Sequence, residues 1–320
     1  MPLTRELRQS DPVRSDADKI FPSIDFRRLP EQGDEIRKIR EACLTTGFFC
    51  LDHALEKEGV VTETLQQMDN FFGLDDAVKG ATRVSTTSKY GWTPLFGEPA
   101  YQPGTIAHVE SFDCGRPCDS TSPDPENIWP DLPDFRRDVR RYWSEISQIS
   151  EIVLESLARA ADIAPRSFRD RCDTNDLSTM RLLHYPANNA PVAEENVGIA
   201  AHTDFEFITL IIQTAPGLEL RDTSGQWYDA PPDKSKVVVL LGDMLEHLTN
   251  GYFQATGHRV RNTSEKRHSI VFFSAVNDDE LVSPLPEFLN ADNSSHYKPV
   301  SQRQHLKQEV TQAERYRDDK

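Results

Sequence analysis

No stretch of the sequence approaches the roughly 18 consecutive apolar residues that a membrane-spanning helix needs, so a membrane protein of the helical kind is not expected. The opening segment, Met1 to Lys19, is charged throughout and has no apolar run of the sort a signal peptide carries. Cysteine is scarce, odd in number and scattered: Cys43, Cys50, Cys114, Cys118 and Cys172. That pattern fits free thiols in a reducing compartment better than a disulfide framework, and the expected location is cytoplasmic. Cys114 and Cys118 stand near each other with no second pair, which reads as plain thiols rather than zinc ligands. Positive charge is in deficit, 36 Lys and Arg against 52 Asp and Glu, for a formal net charge of −16. Such a field repels phosphate backbones and anionic lipid, so neither nucleic acid nor a membrane is an expected partner. A small anion can still bind in a locally basic pocket. Internal repeats and low-complexity runs are absent. What remains is an ordinary globular composition, 37% apolar and 28% charged, long enough at 320 residues to bury a core without disulfide or metal staples.

The order of the elements is readable from hydrophobic period. Residues 1–20 are polar and expected to form a loose arm. Phe21–Phe26 alternates as a first strand, Asp34 to Thr45 has the pattern of an amphipathic helix, Phe48–Leu51 that of a short buried strand, and Val60 to Phe72 is helical again. The span 80–130 is rich in Gly, Pro, Ser and Thr but keeps Tyr90, Trp92, Phe96, Tyr101 and Phe112, the mark of loops that pack over a pocket. From Phe135 to Ala161, Val139, Tyr142, Trp143, Ile146, Ile149, Val153 and Leu157 recur at three- and four-residue steps, giving one long helix with one buried face. After residue 176 short β runs take over: Thr179–Tyr185, Phe205–Thr214, Leu218–Asp222, Gln226–Asp229, Val237–Leu241, His258–Arg261 and Ser269–Ala275, with turns at Pro216-Gly217, Ser224-Gly225 and Asn250-Gly251. Many short strands at this spacing predict a sandwich or barrel. Residues 301–320 form a polar helix that could cover a barrel mouth or meet another subunit; the sequence carries no signature of an oligomeric state.

His202-Thr-Asp204 is the first candidate for chemistry. With 9 His and 52 carboxylates, about one or two His-x-Asp/Glu matches arise by chance, and His108-Val-Glu110 is read as such a match. Placed at the start of a β run, His202 and Asp204 would share a face and reach one metal. His258, opening another strand, would complete a set of two imidazoles and one carboxylate, the donor set of non-haem iron(II) sites with positions open for substrate and oxygen. In Arg267–Phe273, the alternate residues Arg267, Ser269, Val271 and Phe273 share a face, taken as a hairpin neighbour of the His258 strand. An arginine pointing into a barrel must meet an anion, and Arg267 with Ser269 can grip a carboxylate. In Met180–Tyr185, Arg181, Leu183 and Tyr185 point one way, making Tyr185 a partner for an acid and Arg181 either a contact to a polar substrate group or a structural ion pair.

These residues resemble the isopenicillin N synthase-like branch of the Fe(II)/2-oxoglutarate-dependent dioxygenases along nearly the whole chain. The resemblance rests on Phe21–Phe26, Ala42–Phe49, Phe71–Lys79, Glu110–Gly115, Leu182–Pro186, Ala201–Asp204 with Thr209-Leu210, Gly242-Asp243, Asn250-Gly251, His258–Val260 and Arg267-x-Ser269, in that order. It implies a mixed α/β (α+β) fold, a distorted double-stranded β-helix or jelly roll flanked by helices. The expected layout is 21–115 as a leading helical and strand region, 116–300 as the core with its long helix, and 301–320 as a terminal helix. It further implies His202, Asp204 and His258 as iron ligands, Arg267, Ser269 and Tyr185 as the grip on 2-oxoglutarate, and Arg181, Phe273, Trp92 and Phe112 as substrate-lining positions. The implied reaction consumes O2 and 2-oxoglutarate, releases succinate and carbon dioxide, and hydroxylates, desaturates or cyclises a small organic substrate of the secondary-metabolite kind. From the residues themselves an iron oxidase without 2-oxoglutarate, a zinc hydrolase and a non-catalytic jelly roll stay open.

Overall fold

The computed structural model describes residues 13–14, 21–85, 89–99, 101–117, 127–187, 196–262, 264–290 and 293–318. The expected loose arm at 1–20 and the thiol of Cys118 lie almost entirely outside that set; Val13–Arg14 is described, as a short strand. The described cysteines, Cys43, Cys50, Cys114 and Cys172, are free and buried.

The first half supplies strands β1 (Val13–Arg14), β2 (Ser23–Asp25), β3 (Phe48–Asp52), β4 (Gly91–Thr93), β5 (Ile106–Ala107) and β6 (Glu110–Gly115), with helices α1 (Gly33–Thr45), α2 (Val60–Phe72), α3 (Asp76–Lys79) and α4 (Phe135–Ala160). After α5 (Arg166–Arg169) come β7 (Thr179–Tyr185), β8 (Asn196–Val197), β9 (Ile199–His202), β10 (Ile208–Gln213), β11 (Leu218–Arg221), β12 (Trp227–Asp229) and β13 (Val237–Leu241). The short α6 (Asp243–Leu248), β14 (His258–Val260), β15 (Arg267–Ser274), β16 (Leu281–Val282), β17 (Val300–Ser301) and α7 (Gln302–Asp318) complete the chain. None of the described helices is long and apolar enough to cross a membrane.

Two sheets face each other as a jelly roll. The larger runs β2-β3-β13-β10-β15-β7-β6-β4 and the smaller β1-β12-β11-β14-β9. The central strands of the large sheet, Ile208–Gln213 and Val237–Leu241, are buried at every residue. Their near-continuous apolar runs follow from being covered on both faces. On one face Met180, Leu182, Ile270 and Phe272 meet the apolar stripe of α4 and the undersides of α1 and α2, forming the main core. The Trp143 ring stands edge-on to Phe272 at 5.1 Å. On the other face Leu183, Ile211, Val238, Leu240 and Val271 meet Ile199, Leu218, Leu220 and Val260 of the small sheet. The leading region joins the same large sheet at both edges, through β2 and β3 on one side and β4 and β6 on the other.

Two local expectations change. Asp204 does not open a strand: His202 ends β9 in the small sheet, and the β run that follows starts only at Ile208, in the large one. The chain crosses between sheets at the very residues that carry the motif. For the same reason Arg267 and Ser269 are no hairpin neighbours of His258, because β14 pairs with β9 and β11 while β15 pairs with β10 and β7. The two strands face each other across the interior instead.

Candidate active site

At the end of the barrel, antiparallel pairing of β9 with β14 sets His202 directly opposite His258. The crossover loop swings Asp204 between them. Asp204 Oδ1 lies 3.6 Å from His202 Nε2 and 3.5 Å from His258 Nε2. One ligand atom from each of the three lies within 4.8 Å of the others, and among the described residues no other group of three or more His, Cys, Asp or Glu does so. Each ring is oriented through its far nitrogen: His202 Nδ1 is 2.8 Å from the Ala200 carbonyl and His258 Nδ1 is 3.1 Å from the Thr256 carbonyl. A carbonyl can only accept, so Nδ1 carries the proton and both Nε2 lone pairs face the centre. Burial, aided by the neighbouring His258, pushes the His202 pKa down to about 3 and keeps the ring in its neutral, ligating form. Thr209 donates to Asp204 Oδ2 at 2.5 Å, leaving Oδ1 for a metal. Tyr101 stacks on His202 at 4.2 Å between ring centroids. Two imidazoles and one carboxylate on one side of a point suit Fe(II), with further positions open.

Facing the triad across a cavity of about 450 Å³ stands a second polar cluster, on β15 and its neighbour β7. Arg267 is 1% exposed and has no carboxylate partner; its Nε donates to the Ala215 carbonyl at 3.2 Å and its Nη2 to Gln213 Oε1 at 2.9 Å. Cross-strand pairing sets Tyr185 opposite Arg267, whose guanidinium lies 4.6 Å from the ring centre. Arg267 Nη1, Ser269 Oγ and the Tyr185 hydroxyl are all buried without a hydrogen-bond partner. Burial lowers the pKa of Arg267, as expected of a cation held without a counter-ion. Three orphaned buried polar atoms around one guanidinium are costly unless a ligand satisfies them, and a carboxylate supplies the charge and the acceptors all three need. The site therefore fits a molecule with one acid group at Arg267 and a chelating group at the triad.

Of the residues expected to line a substrate site, Arg181 and Phe273 do border the cavity. Arg181 is also ion-paired: Asp113 takes its Nε and Nη2 at 2.8 and 2.7 Å, and Glu98 lies 3.3 Å from Nη1. Trp92 and Phe112 are corrected. Phe112 pairs with Leu182 on the core side of the sheet and packs edge-on to Phe71 and Phe135. The Trp92 indole donates to buried Glu110 at 2.9 Å, with Lys79 above its ring. Both strands alternate, so Asp113 rather than Phe112 faces the cavity. Glu110 of the second His-x-Glu match bonds Lys79 at 2.7 Å and takes no part in the site. Further lining comes from the loop aromatics Tyr90 and Tyr101, from Glu206 and, from α7, from Leu306, Lys307 and Val310. The last three place α7 over the cavity mouth. A second, more polar cavity of about 490 Å³ also borders His202 and is lined by Asp243 and His247 of α6 and His305 and Glu309 of α7, with His305 Nε2 2.9 Å from Asp243 Oδ2.

A family model described as the 2OG-Fe(II) oxygenase superfamily matches residues 177–275, and one described as the non-haem dioxygenase in morphine synthesis N-terminal region matches 21–132. Over 302 residues, 86% of the chain and 90% of the relative, the sequence is 32% identical to a 2-oxoglutarate-dependent dioxygenase of Monascus ruber. It is 31% identical to a 2-oxoglutarate-Fe(II) type oxidoreductase of Emericella nidulans, covering 83% of the chain and 81% of that protein. Among solved structures, a full-length Neurospora crassa protein in complex with alpha-KG superposes with a TM-score of 0.80 at 24% identity, over 91% of this chain and 96% of the other. A 2OG-Fe(II) oxygenase family protein of Caulobacter crescentus superposes with a TM-score of 0.79 at 24% identity, over 91% and 99%.

Proposed function

The chain belongs to the 2-oxoglutarate–Fe(II) oxygenase superfamily, and from that premise we propose what its individual residues do. It is a 2-oxoglutarate-dependent dioxygenase, an oxidoreductase acting on a small molecule, with Fe(II), 2-oxoglutarate and O2 as its reactants beside the substrate. Relatives named as 2-oxoglutarate-dependent dioxygenases favour this reading over the cosubstrate-free oxidase, the zinc hydrolase and the non-catalytic jelly roll. In our reading His202, Asp204 and His258 hold the iron, and Arg267, Ser269 and Tyr185 hold the far carboxylate of 2-oxoglutarate. Arg181 and Phe273 border the substrate. The observation that carries the assignment is the set of orphaned atoms at Arg267, Ser269 and Tyr185 facing the triad across one cavity.

When bound, the metal would let O2 act as the oxidant: 2-oxoglutarate gives two electrons and takes one oxygen atom, leaving as succinate and carbon dioxide, and a substrate C–H bond gives the other two, the second oxygen ending in the hydroxylated product or, in desaturation or ring closure, in water. The chain's own work is placement. The Ala200 and Thr256 carbonyls and the Thr209 hydroxyl hold the three ligands in the geometry described. Arg267 fixes the length and direction of whatever spans from its guanidinium to the triad. Val271, Phe273 and Ile211 keep that span dry, which strengthens every charge interaction within it. α7 closes the mouth with Leu306 and Val310. The residues 21–115, 116–300 and 301–320 then act as leading region, catalytic core and cover, the leading region joined to the core through the shared large sheet. We place the enzyme in the cytoplasm, supported by its free buried thiols and by the need of ferrous iron for a reducing medium. The charge of −16 argues against nucleic acid or anionic membrane as partners, and a secondary-metabolite-type substrate fits a cavity of this size.

The test is an anaerobic titration of Fe(II) and 2-oxoglutarate into apo-protein, followed by the visible metal-to-ligand charge-transfer band. Wild type gives the band, His258→Ala loses it with iron binding, and Arg267→Ala keeps iron but needs far more 2-oxoglutarate. A normal band in both variants overturns the residue assignment.

A further inference from the structure

Resting on the reading just given, we infer that Tyr101 is a positioning residue for the iron: its ring, laid on His202 by a strap from the leading region, holds that ligand where its own strand cannot. The two imidazoles of the triad are not equally supported. His258 stands on β14, which has β11 on one side and β9 on the other, whereas His202 ends β9, the outermost strand of the small sheet. One edge of β9 therefore has no strand of that sheet beside it, and an open edge lacks the ladder that fixes an inner strand. The hydrogen bond from His202 Nδ1 goes to the Ala200 carbonyl, two residues back on the same strand. It sets the ring relative to β9 but moves with β9. Something outside the strand has to hold the pair in place.

The segment Tyr101–Ala107 stands where the missing neighbour would be. Gln102 Nε2 donates to the Ala201 carbonyl at 2.8 Å, next to His202. The Gln102 carbonyl is held in turn by Thr105, through its hydroxyl at 2.8 Å and its N–H at 3.3 Å. Ile106–Ala107 then pairs in parallel with Asn196–Val197, and His108 N donates to the Val197 carbonyl at 2.6 Å, which fastens the segment to the chain leading into β9. Three residues before Tyr101, Glu98 is tied to the large sheet by Ser111 at 2.6 Å and Arg181 at 3.3 Å. Between these fixings the Tyr101 ring lies nearly parallel to His202, with 13° between the planes and 4.2 Å between centroids. It covers one face of the imidazole, and the His258 ring lies 4.1 Å from the same imidazole. Stacking of this kind needs no charge on either ring, so the hold does not depend on protonation. Tyr101 and His202 border both cavities, so the stacked pair also forms part of the wall between the dry space at Arg267 and the polar one under α6 and α7.

The experiment titrates Co(II), a spectroscopic stand-in for Fe(II), into the metal-free protein. It reads the dissociation constant and the visible ligand-field band at saturation, with a thermal melt of each variant beside it. His258→Ala is the control on the site: wild-type Co(II) binding in that variant overturns the triad assignment and this inference with it. Given the expected loss there, Tyr101→Phe, which keeps the ring, should match wild type in affinity and band. Tyr101→Leu keeps bulk without an aromatic face and should bind about 3–10-fold more weakly, with a shifted band. A fold defect alone would lower the melting temperature and leave the band at saturation where it is. If Tyr101→Leu does not melt cooperatively, Gln102→Leu decides, since it loosens the strap and leaves the ring; it should move affinity and band in the same direction. Wild-type affinity in the deciding variant, an unshifted band at saturation, or equal losses in Tyr101→Phe and Tyr101→Leu overturn the inference about Tyr101 and leave the triad assignment standing.

Discussion

Asp204 is held by a hydroxyl that no metal-binding motif announces. Thr209 sits at the start of β10, opposite Phe273, and its hydroxyl takes the Asp204 oxygen turned away from the histidines. Without that bond the carboxylate can rotate both oxygens out of the ligating position, so Thr209→Val, nearly the same shape, should weaken Fe(II) binding by roughly 10–100-fold. Equilibrium titration with Fe(II) reads this, and unchanged affinity would mean that packing alone aims Asp204. Arg267 can be tested as sharply. A lysine keeps the charge but not the planar fork that also bonds Gln213 and Ala215. Arg267→Lys should raise the Kd for 2-oxoglutarate about 10–100-fold, on the order of 1.4–3 kcal/mol, while iron binding without cosubstrate stays normal. At this scale the sequence is legible where chemistry demands particular residue types, as at His202, Asp204, His258 and Arg267. Thr209 shows only as part of a motif and Tyr101 only as a loop aromatic, with no role attached, and Glu206 not at all, because threonine, tyrosine and glutamate are common and only tertiary placement gives them a task.

Elements were legible for a different reason. The helix over Val60–Phe72 and the strands Thr179–Tyr185 and Val237–Leu241 match their hydrophobic runs end to end, because each buries a face or both. Partners were not legible, since alternation says which side chains share a face and nothing about which strand lies alongside. That is why β14 and β15 read as a hairpin yet belong to opposite sheets; Trp92 and Phe112, which the resemblance implies as substrate-lining, instead pack in the core on the far side of the large sheet. The loop from Asp204 to Phe207 shows what holds such a crossover. Gly242, at the end of β13, lies so close beneath it that a Cβ would stand 2.2 Å from the Glu206 carbonyl oxygen. The turn then bonds upward, Asp243 N to the Asp204 carbonyl at 2.9 Å and Gly242 N to the Phe207 carbonyl at 3.0 Å. Neither backbone can yield cheaply. Gly242→Ala should cost about 1–3 kcal/mol of stability and, by lifting the Asp204 loop, weaken Fe(II) binding as well. A denaturant melt paired with a metal titration checks both; a variant that loses stability yet binds iron normally would show that the loop does not depend on this support.

Across the whole molecule, two opposing electrostatic effects act as pH falls, and their signs differ. The chain carries −16 at pH 7 with a pI near 5.0, so acid relieves self-repulsion and, on that ground alone, would stabilise the fold between pH 7 and 5. Buried histidines push the other way. His268 and His184 pack under α2 with Nε2 and Nδ1 3.1 Å apart and His184 stacked on Phe72, while His247, on α6, stacks on Tyr297. Burial, reinforced in each case by a neighbouring histidine, pushes His268 and His247 down to about 4; burial also lowers His184, against the pull of Glu110. In the unfolded chain these rings take a proton near pH 6.5, so the unfolded state binds protons first and gains on the folded one. Their contribution to stability is therefore whole above 6.5 and drains away as pH falls toward 4. Each ring at about 4 costs roughly 1–2 kcal/mol by pH 5, whereas the diffuse repulsion of surface charges is screened within about 8 Å at physiological salt. Burial raises one carboxyl, Glu206, to about 8, which favours the fold as pH falls, but four lowered rings (His184, His202, His247 and His268) oppose it, so the histidines should win. Melting of the metal-free protein is expected to fall steadily from pH 7 to pH 5, and His202, held near 3, adds to the fall because its ring too is protonated near 6.5 only in the unfolded chain. A His247→Gln/His268→Gln double variant, whatever its melting temperature at pH 7, should show a much flatter pH slope. A wild-type melting temperature that holds or rises toward pH 5 would mean that net charge, not the buried rings, governs the acid limb.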